Sequence, residues 1–148
     1  MTQDVRIAEI LLVEDNEGDI ELTREAFEDA IFRNNLHIAE DGDIALDYLF
    51  KRNGYEGAVM PDIILLDLNL PSTDGKEVLE IIKTDPLLRR IPVIVLTSSE
   101  ADKDIFESYD LHANCYIVKP VSASKFMKVV KDVENFWGDI VCLPTSNC

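Results

Sequence analysis

Short runs of Ile, Leu and Val alternate along the chain with longer stretches in which apolar residues recur at helical spacing. A short run that is apolar on both faces is typical of a strand in a parallel sheet. Five strands are predicted, over residues 9–13, 36–39, 62–66, 92–96 and 115–118. Five helices are predicted as well, over residues 19–34, 43–51, 75–83, 101–109 and 123–137. Because such strands need helices on both sides, the order predicts a doubly wound α/β domain with a parallel sheet.

Length and composition agree with one domain and exclude several other classes. The 148 residues are 47% hydrophobic and 29% charged, with only 6 Gly and 6 Pro, which is typical of a globular chain rather than a disordered one. No apolar run approaches the roughly 18 residues of a spanning helix, and residues 1–6 are too polar for a signal peptide. We therefore expect a cytoplasmic protein with one domain over residues 1–138 and a C-terminal tail over residues 139–148.

The net charge bears on which partners the protein can bind, and the cysteine spacing bears on disulfides and zinc sites. Fourteen Lys and Arg against 29 Asp and Glu give a net charge of −15, which repels phosphate backbones and makes nucleic acid an unsuitable partner. Cys115, Cys142 and Cys148 have no Cys-x-x-Cys spacing, so they indicate reduced thiols rather than disulfides or a zinc site.

Polar residues follow four of the predicted strands at the point where each strand ends. Glu14 and Asp15 follow the first strand, Asp67 the third, Thr97 the fourth and Lys119 the fifth. The carboxyl ends of parallel strands meet at one edge of a sheet, where ligands of this fold class bind. We therefore expect these five side chains to converge on one site.

Crowded carboxylates limit the chemistry that such a site can perform. Two of them about 4 Å apart repel by roughly 4 kcal/mol at an effective dielectric of 20, so either protonation or a cation must compensate. We favour Mg²⁺, held by Glu14 and Asp15, because hard divalent cations prefer oxygen ligands. The sequence lacks a P-loop, which excludes nucleotide hydrolysis of that kind. A cation, a lysine and a hydroxyl suit phosphoryl transfer onto a carboxylate, and Asp67 is the best acceptor because it follows the most apolar strand.

The run Leu-Asp-Leu-Asn-Leu-Pro at residues 66–71, with the upstream acidic pair, Thr97 and the Lys119-Pro120 pair, resembles the receiver domain of bacterial response regulators. The resemblance covers residues 8–137. Within that family the Val-Glu-Asp-Asn start, the long loop before residues 60–62 and the Phe-Trp ending are most similar to single-domain response regulators that pair with cyanobacterial phytochrome kinases.

This resemblance implies a flavodoxin-like sheet with strand order 2-1-3-4-5 and a role for each site residue. Asp67 would accept a phosphoryl group from a partner histidine kinase. Asp15, Asp67 and the main-chain carbonyl of Asn69 would bind Mg²⁺, with Glu14 acting through a water. Lys119 would contact the phosphate.

The resemblance also implies how the domain signals. Thr97 would donate a hydrogen bond to a phosphate oxygen, and Tyr116 would change rotamer with it. The protein would not be an enzyme but a phosphoacceptor that assists its own phosphorylation and slow dephosphorylation. With no output domain expected after residue 137, it would signal through a changed surface, either to an unknown downstream protein or as a homodimer.

Two other functions and one plainer interpretation stay open at this point. Mg²⁺-dependent phosphatases with an Asp nucleophile share the fold class, but they place a second Asp where this chain has Asn69, which cannot transfer a proton. A receiver-like module that binds partners without phosphorylation is the other function. Thr97 with Glu100 also matches a helix capping box, so Thr97 can be explained as a cap alone.

Overall fold

The computed structural model describes residues 7–29, 33–70, 74–97, 115–119 and Ser124. Within these residues the strands are β1 Ala8–Val13, β2 Asn34–Ala39, β3 Ile63–Asp67, β4 Val93–Thr97 and β5 Cys115–Val118. The helices are α1 Glu17–Glu28, α2 Gly42–Leu49 and α3 Gly75–Thr84, with a short 3₁₀ helix at Leu88–Arg90. In this part of the chain, no helix has the length and apolar character that crossing a bilayer requires.

The strands form one parallel sheet in the order β2-β1-β3-β4-β5. This confirms the predicted fold class and strand order. The middle strands β3 and β4 are buried at every residue, whereas most residues of the edge strand β2 keep some exposure. β2 pairs with one edge of β1 and β3 with the other, so the direction in which strands are added to the sheet reverses at β1. Ligands of such sheets bind at the point of reversal, outside the carboxyl ends of β1 and β3.

The register of the strands places the polar residues at their carboxyl ends side by side along one edge of the sheet. Val13 pairs with Leu66, so the residues that follow them, Glu14 and Asp67, are neighbours across the sheet. Thr97 pairs with Val118, and Lys119 comes directly after that pair. The backbone N–H of Lys119 donates to the carbonyl of Thr97 at 2.8 Å, which extends the ladder to the site itself.

The predicted strands lie within two residues of the observed ones, but the predicted first helix over residues 19–34 is wrong at both ends. Asn16 caps α1, and its side chain accepts from the N–H of Asp19, so the helix begins at Glu17. The helix ends at Glu28, and Asn34, the predicted last residue of the helix, is instead paired with Ala8 in the sheet. Tertiary pairing therefore overrides the local helical pattern.

The other two described helices differ from prediction by one or two residues. The predicted helix over residues 43–51 is observed as α2, Gly42–Leu49, and Lys51 beyond it adopts a φ of 54° that a helix does not continue through. The predicted helix over residues 75–83 is observed as α3, Gly75–Thr84. The helices predicted over residues 101–109 and 123–137, and the tail over residues 139–148, lie outside the described residues.

Close packing joins the start of α3 to the backbone that follows β3. The N–H of Gly75 donates to the carbonyl of Leu68 at 3.3 Å. A Cβ atom on Gly75 would lie 2.5 Å from the carbonyl oxygen of Asp67 and 2.6 Å from the Cα of Leu68. Only glycine allows this approach, so Gly75 helps to set the position of the backbone at Asp67.

We expect Gly75→Ala to lower the free energy of unfolding by about 1–3 kcal/mol, because backbone atoms at that distance cannot simply rotate away. Gly57→Ala is the matched control, since nothing lies within 4 Å of its added Cβ. The control should change stability by no more than about 0.5 kcal/mol. Urea denaturation of both variants measures the difference, and equal values would contradict the packing argument.

Candidate functional site

Side chains from three strand ends meet at the carboxyl edge of the sheet. Glu14, Asp67 and Thr97 are only 1%, 3% and 1% exposed, whereas Asp15 beside them is exposed. Glu14, Asp15 and Asp67 each offer a carboxylate oxygen, and these oxygens lie within 4.8 Å of one another. The structure thus brings the predicted carboxylates together. We call these three residues the acidic cluster.

Lys119 is held by three carboxylates at once. Its Nζ lies 2.7 Å from Glu14 Oε1, 2.9 Å from Asp19 Oδ2 and 3.2 Å from Asp67 Oδ2. An ammonium group has three N–H donors, so these contacts use its whole donor capacity. The lysine is directed into the cluster rather than toward solvent, and its side chain is 14% exposed.

Asp19 is the site residue that sequence reasoning missed. The sequence places it at the start of the predicted first helix and gives it no role at the site, yet its side chain supplies one of the three contacts of Lys119. The signal that points to it is its place in the first turn of α1, directly after the loop that carries Glu14 and Asp15. The loop and the first turn of α1 form one continuous acidic segment, and Asp19 is its last acidic residue.

The two oxygens of Asp67 have different partners. Oδ1 accepts from the backbone N–H of Asn69 at 3.1 Å, and Oδ2 accepts from Lys119 at 3.2 Å. Asn69 is exposed and is the second residue after the end of β3. The structure therefore places Asn69 against the Asp67 carboxylate through its N–H, while metal binding by its carbonyl stays a prediction.

Burial and like charge shift the protonation of the cluster. Burial, together with the neighbouring Asp67, raises the pKa of Glu14 from its ordinary value of 4.5 to about 7, against the opposing effect of Lys119. Burial alone would lower the pKa of Lys119, but the hydrogen bonds to Glu14 and Asp19 and the charge of Asp67 raise it above its ordinary value. The ammonium stays charged, yet it does not fully offset the carboxylates around it.

The acidic cluster fits a hard divalent cation. Its donors are all carboxylate oxygens, which Mg²⁺ and Mn²⁺ prefer over nitrogen or sulfur. Three carboxylates gather there around one ammonium, and a cation would offset their remaining negative charge. Asp15 lies at the exposed side of the cluster, where an ion can keep water ligands.

Thr97 ends β4, which pairs with the strand that carries Asp67, and Tyr116 lies in the neighbouring strand β5. Thr97 is buried as the last residue of its strand. Tyr116 is half-buried, and it packs against the hydrophobic core on the side of α2 and α3. A hydrogen bond from Thr97 to phosphate and a rotamer change of Tyr116 stay predictions. The capping box of Thr97 with Glu100 involves residues outside those described.

The raised pKa of Glu14 makes stability depend on pH. The carboxyl favours its protonated form in the folded protein, so its contribution to stability is complete below about pH 4.5 and is lost as pH rises through about 7. In the presence of a chelator, we expect Glu14→Gln to raise the midpoint of thermal unfolding by a few degrees at pH 8 and by much less at pH 5.

Glu17→Gln is the control for this experiment, because it removes the same charge from an exposed position in α1. Thermal unfolding monitored by circular dichroism at both pH values gives the comparison. If Glu14→Gln raises the unfolding midpoint by the same amount at pH 5 and at pH 8, ionisation of Glu14 does not destabilise the folded protein.

Comparison with known proteins adds an independent result. Residues 10–131 match the response regulator receiver domain family. Response regulator Rcp1 of Synechocystis sp. is 44% identical over 137 residues, which cover 93% of each chain.

Two solved structures are similar over nearly the whole chain. The phosphorylated cyanobacterial phytochrome response regulator RcpA has 47% identity and a TM-score of 0.74, with 95% of this chain and 100% of that one covered. The Mn²⁺-bound form of Rcp1 has 43% identity and a TM-score of 0.72, with 93% and 99% covered.

Proposed function

Because the chain belongs to the family of response regulator receiver domains, we propose that it accepts a phosphoryl group on Asp67 from a partner histidine kinase. The observation that carries this proposal is the setting of Asp67. Its carboxylate is buried at the carboxyl end of a central strand, with a lysine ammonium on one oxygen and a backbone N–H on the other. These donors orient the carboxylate for attack on phosphorus.

The proposed transfer is a displacement at phosphorus. An oxygen of Asp67 forms a bond to the phosphorus of a phosphohistidine, and the P–N bond breaks with its electron pair going to the histidine nitrogen. The product is an acyl phosphate on Asp67 and a neutral histidine on the kinase, once that nitrogen carries its proton. Lys119 lies where its ammonium can face the charge on the phosphoryl oxygens.

We propose Mg²⁺ as the cation of the site, held by Glu14, Asp15, Asp67 and the main-chain carbonyl of Asn69. When bound, the cation would neutralise charge on the incoming phosphoryl group. The acidic cluster supports this assignment, and the similar protein Rcp1 has been solved with Mn²⁺. Both ions are hard cations with oxygen ligands, and Mg²⁺ is the usual partner of phosphoryl oxygens.

The kinase is proposed to be a phytochrome, which would place the protein in the cytoplasm with it. The support is the similarity to the cyanobacterial phytochrome response regulator RcpA over 95% of this chain. The phosphorylated protein would then act on a downstream protein or associate as a homodimer, with Thr97 and Tyr116 linking Asp67 to the changed surface. The phosphatase alternative gains no support, because Asn69 cannot act as the proton donor that such enzymes place there.

We expect Asp67→Asn to abolish phosphorylation, because the amide lacks the nucleophilic carboxylate oxygen. The measurement is intact mass after incubation with acetyl phosphate and Mg²⁺, with a chelator-treated sample for comparison. Asp43→Asn, which changes an exposed acid in α2, should be modified like the parent. Stoichiometric phosphorylation of the Asp67 variant would overturn the proposed acceptor.

We expect Thr97→Ala to permit phosphorylation but to remove its effect on self-association. The nucleophile and the cation ligands remain in this variant, whereas the hydroxyl that would bind a phosphoryl oxygen is lost. Thr97→Ser keeps a hydroxyl and serves as the control.

Sedimentation at equal degrees of phosphorylation compares the parent with both Thr97 variants. A response of Thr97→Ala equal to that of the parent would mean that Thr97 is only a helix cap.

A further inference from the structure

One carboxylate beside Lys119 lies outside the acidic cluster. Asp19 accepts from Lys119 at 2.9 Å, but it is not among the residues whose oxygens gather for a cation. The other two partners of the ammonium, Glu14 and Asp67, belong to that cluster. Lys119 is therefore bound by two groups that a metal would engage and by one that it would not.

The start of α1 explains why the side chain of Asp19 is available to Lys119. Asp19 is the third residue of the helix, a position where an acidic side chain often turns back to the N–H of the capping residue. Here the N–H of the cap, Asn16, donates instead to Glu14 Oε2 at 3.2 Å. The side chain of Asp19 instead contacts the ammonium of Lys119.

A bound cation would compete with Lys119 for its partners. A divalent cation held by Glu14 and Asp67 would attract their oxygens more strongly than the ammonium does, because it carries twice the charge. Asp19 would then be the partner free of that competition, and it joins the ammonium to a helix at a separation of 100 residues in sequence. Without it, the long lysine side chain would regain rotamer freedom and spend less time facing Asp67.

We propose that Asp19 is a positioning residue for Lys119, holding the ammonium beside Asp67 while a divalent cation occupies the acidic cluster. The proposal rests on the proposed function of Asp67 as the phosphoryl acceptor. Asp19 does not bind the metal or the phosphoryl group in this arrangement. It acts through Lys119 alone.

The test uses Asp19→Asn, which keeps the size of the side chain and removes its charge. Glu17→Gln is the matched control, because Glu17 is an acid in the same helical turn and has an exposed side chain. The first readout is the nitrogen-15 NMR signal of the Lys119 ammonium with Mg²⁺ and without any phosphodonor. We expect this signal to remain in the parent and the control and to be lost through solvent exchange in Asp19→Asn.

The second readout separates cation binding from phosphoryl transfer. We expect Asp19→Asn to bind Mg²⁺ within about 3-fold of the control and to react about 10-fold more slowly with acetyl phosphate at saturating Mg²⁺, since a misplaced group costs rate rather than metal affinity. Asp15→Asn provides the opposite case, in which Mg²⁺ affinity itself falls. Asp19→Ser supplies a second variant in case the asparagine perturbs the helix start.

Two results would overturn the positioning role. The first is that both Asp19 variants keep the Lys119 ammonium signal and react with acetyl phosphate as fast as Glu17→Gln does. The other is a loss of Mg²⁺ affinity as large as that of Asp15→Asn, which would make Asp19 a metal ligand. The NMR readout involves no phosphodonor, so it tests Asp19 even if the parent proves not to be phosphorylated on Asp67.

Discussion

Lys119 and the carboxylates around it form the interaction on which the rest of the site depends. Glu14 and Asp67 are almost fully buried, and the carboxylates of both contact the ammonium group of Lys119. Burying a charge costs much free energy unless it is paired, and one cation cannot fully offset several anions. Burial and the neighbouring Asp67 together raise the pKa of Glu14. A divalent cation would offset the remaining negative charge, and the oxygen ligands gathered there fit such an ion.

The apolar sheet makes such a strained arrangement possible. Full burial of a Leu or Ile side chain stabilises a fold by roughly 1.5–3 kcal/mol, and β1, β3 and β4 bury many of them just below the cluster. That stabilisation offsets the cost of holding like charges together. Gly75 adds a steric constraint, since α3 packs directly on the backbone after β3. The Asp67 carboxylate is therefore presented by a rigid strand end rather than by a loop that could relax away.

Contacts at the site connect distant parts of the chain. Lys119 follows β5, is bonded through its backbone to Thr97 on β4, and reaches Asp19 on α1 and Asp67 on β3 with its side chain. A change of charge on Asp67 therefore alters the balance of forces on several elements at once. This is the physical basis on which modification of one carboxylate can change a protein surface elsewhere.

The sequence by itself determined the five strands, the doubly wound fold, the receiver family and the convergence of Glu14, Asp15, Asp67 and Lys119. The strands and the fold follow from the sequence because buried parallel strands appear as apolar runs, and the convergence follows because the carboxyl ends of parallel strands share one edge. The receiver family follows from the resemblance of the motifs at those strand ends. Tertiary structure alone decided that Asn34 belongs to β2 rather than to the first helix, since that depends on pairing with Ala8. It also decided the role of Asp19 and the pKa of Glu14. Both depend on burial and on distances between residues far apart in the chain, which no local pattern records.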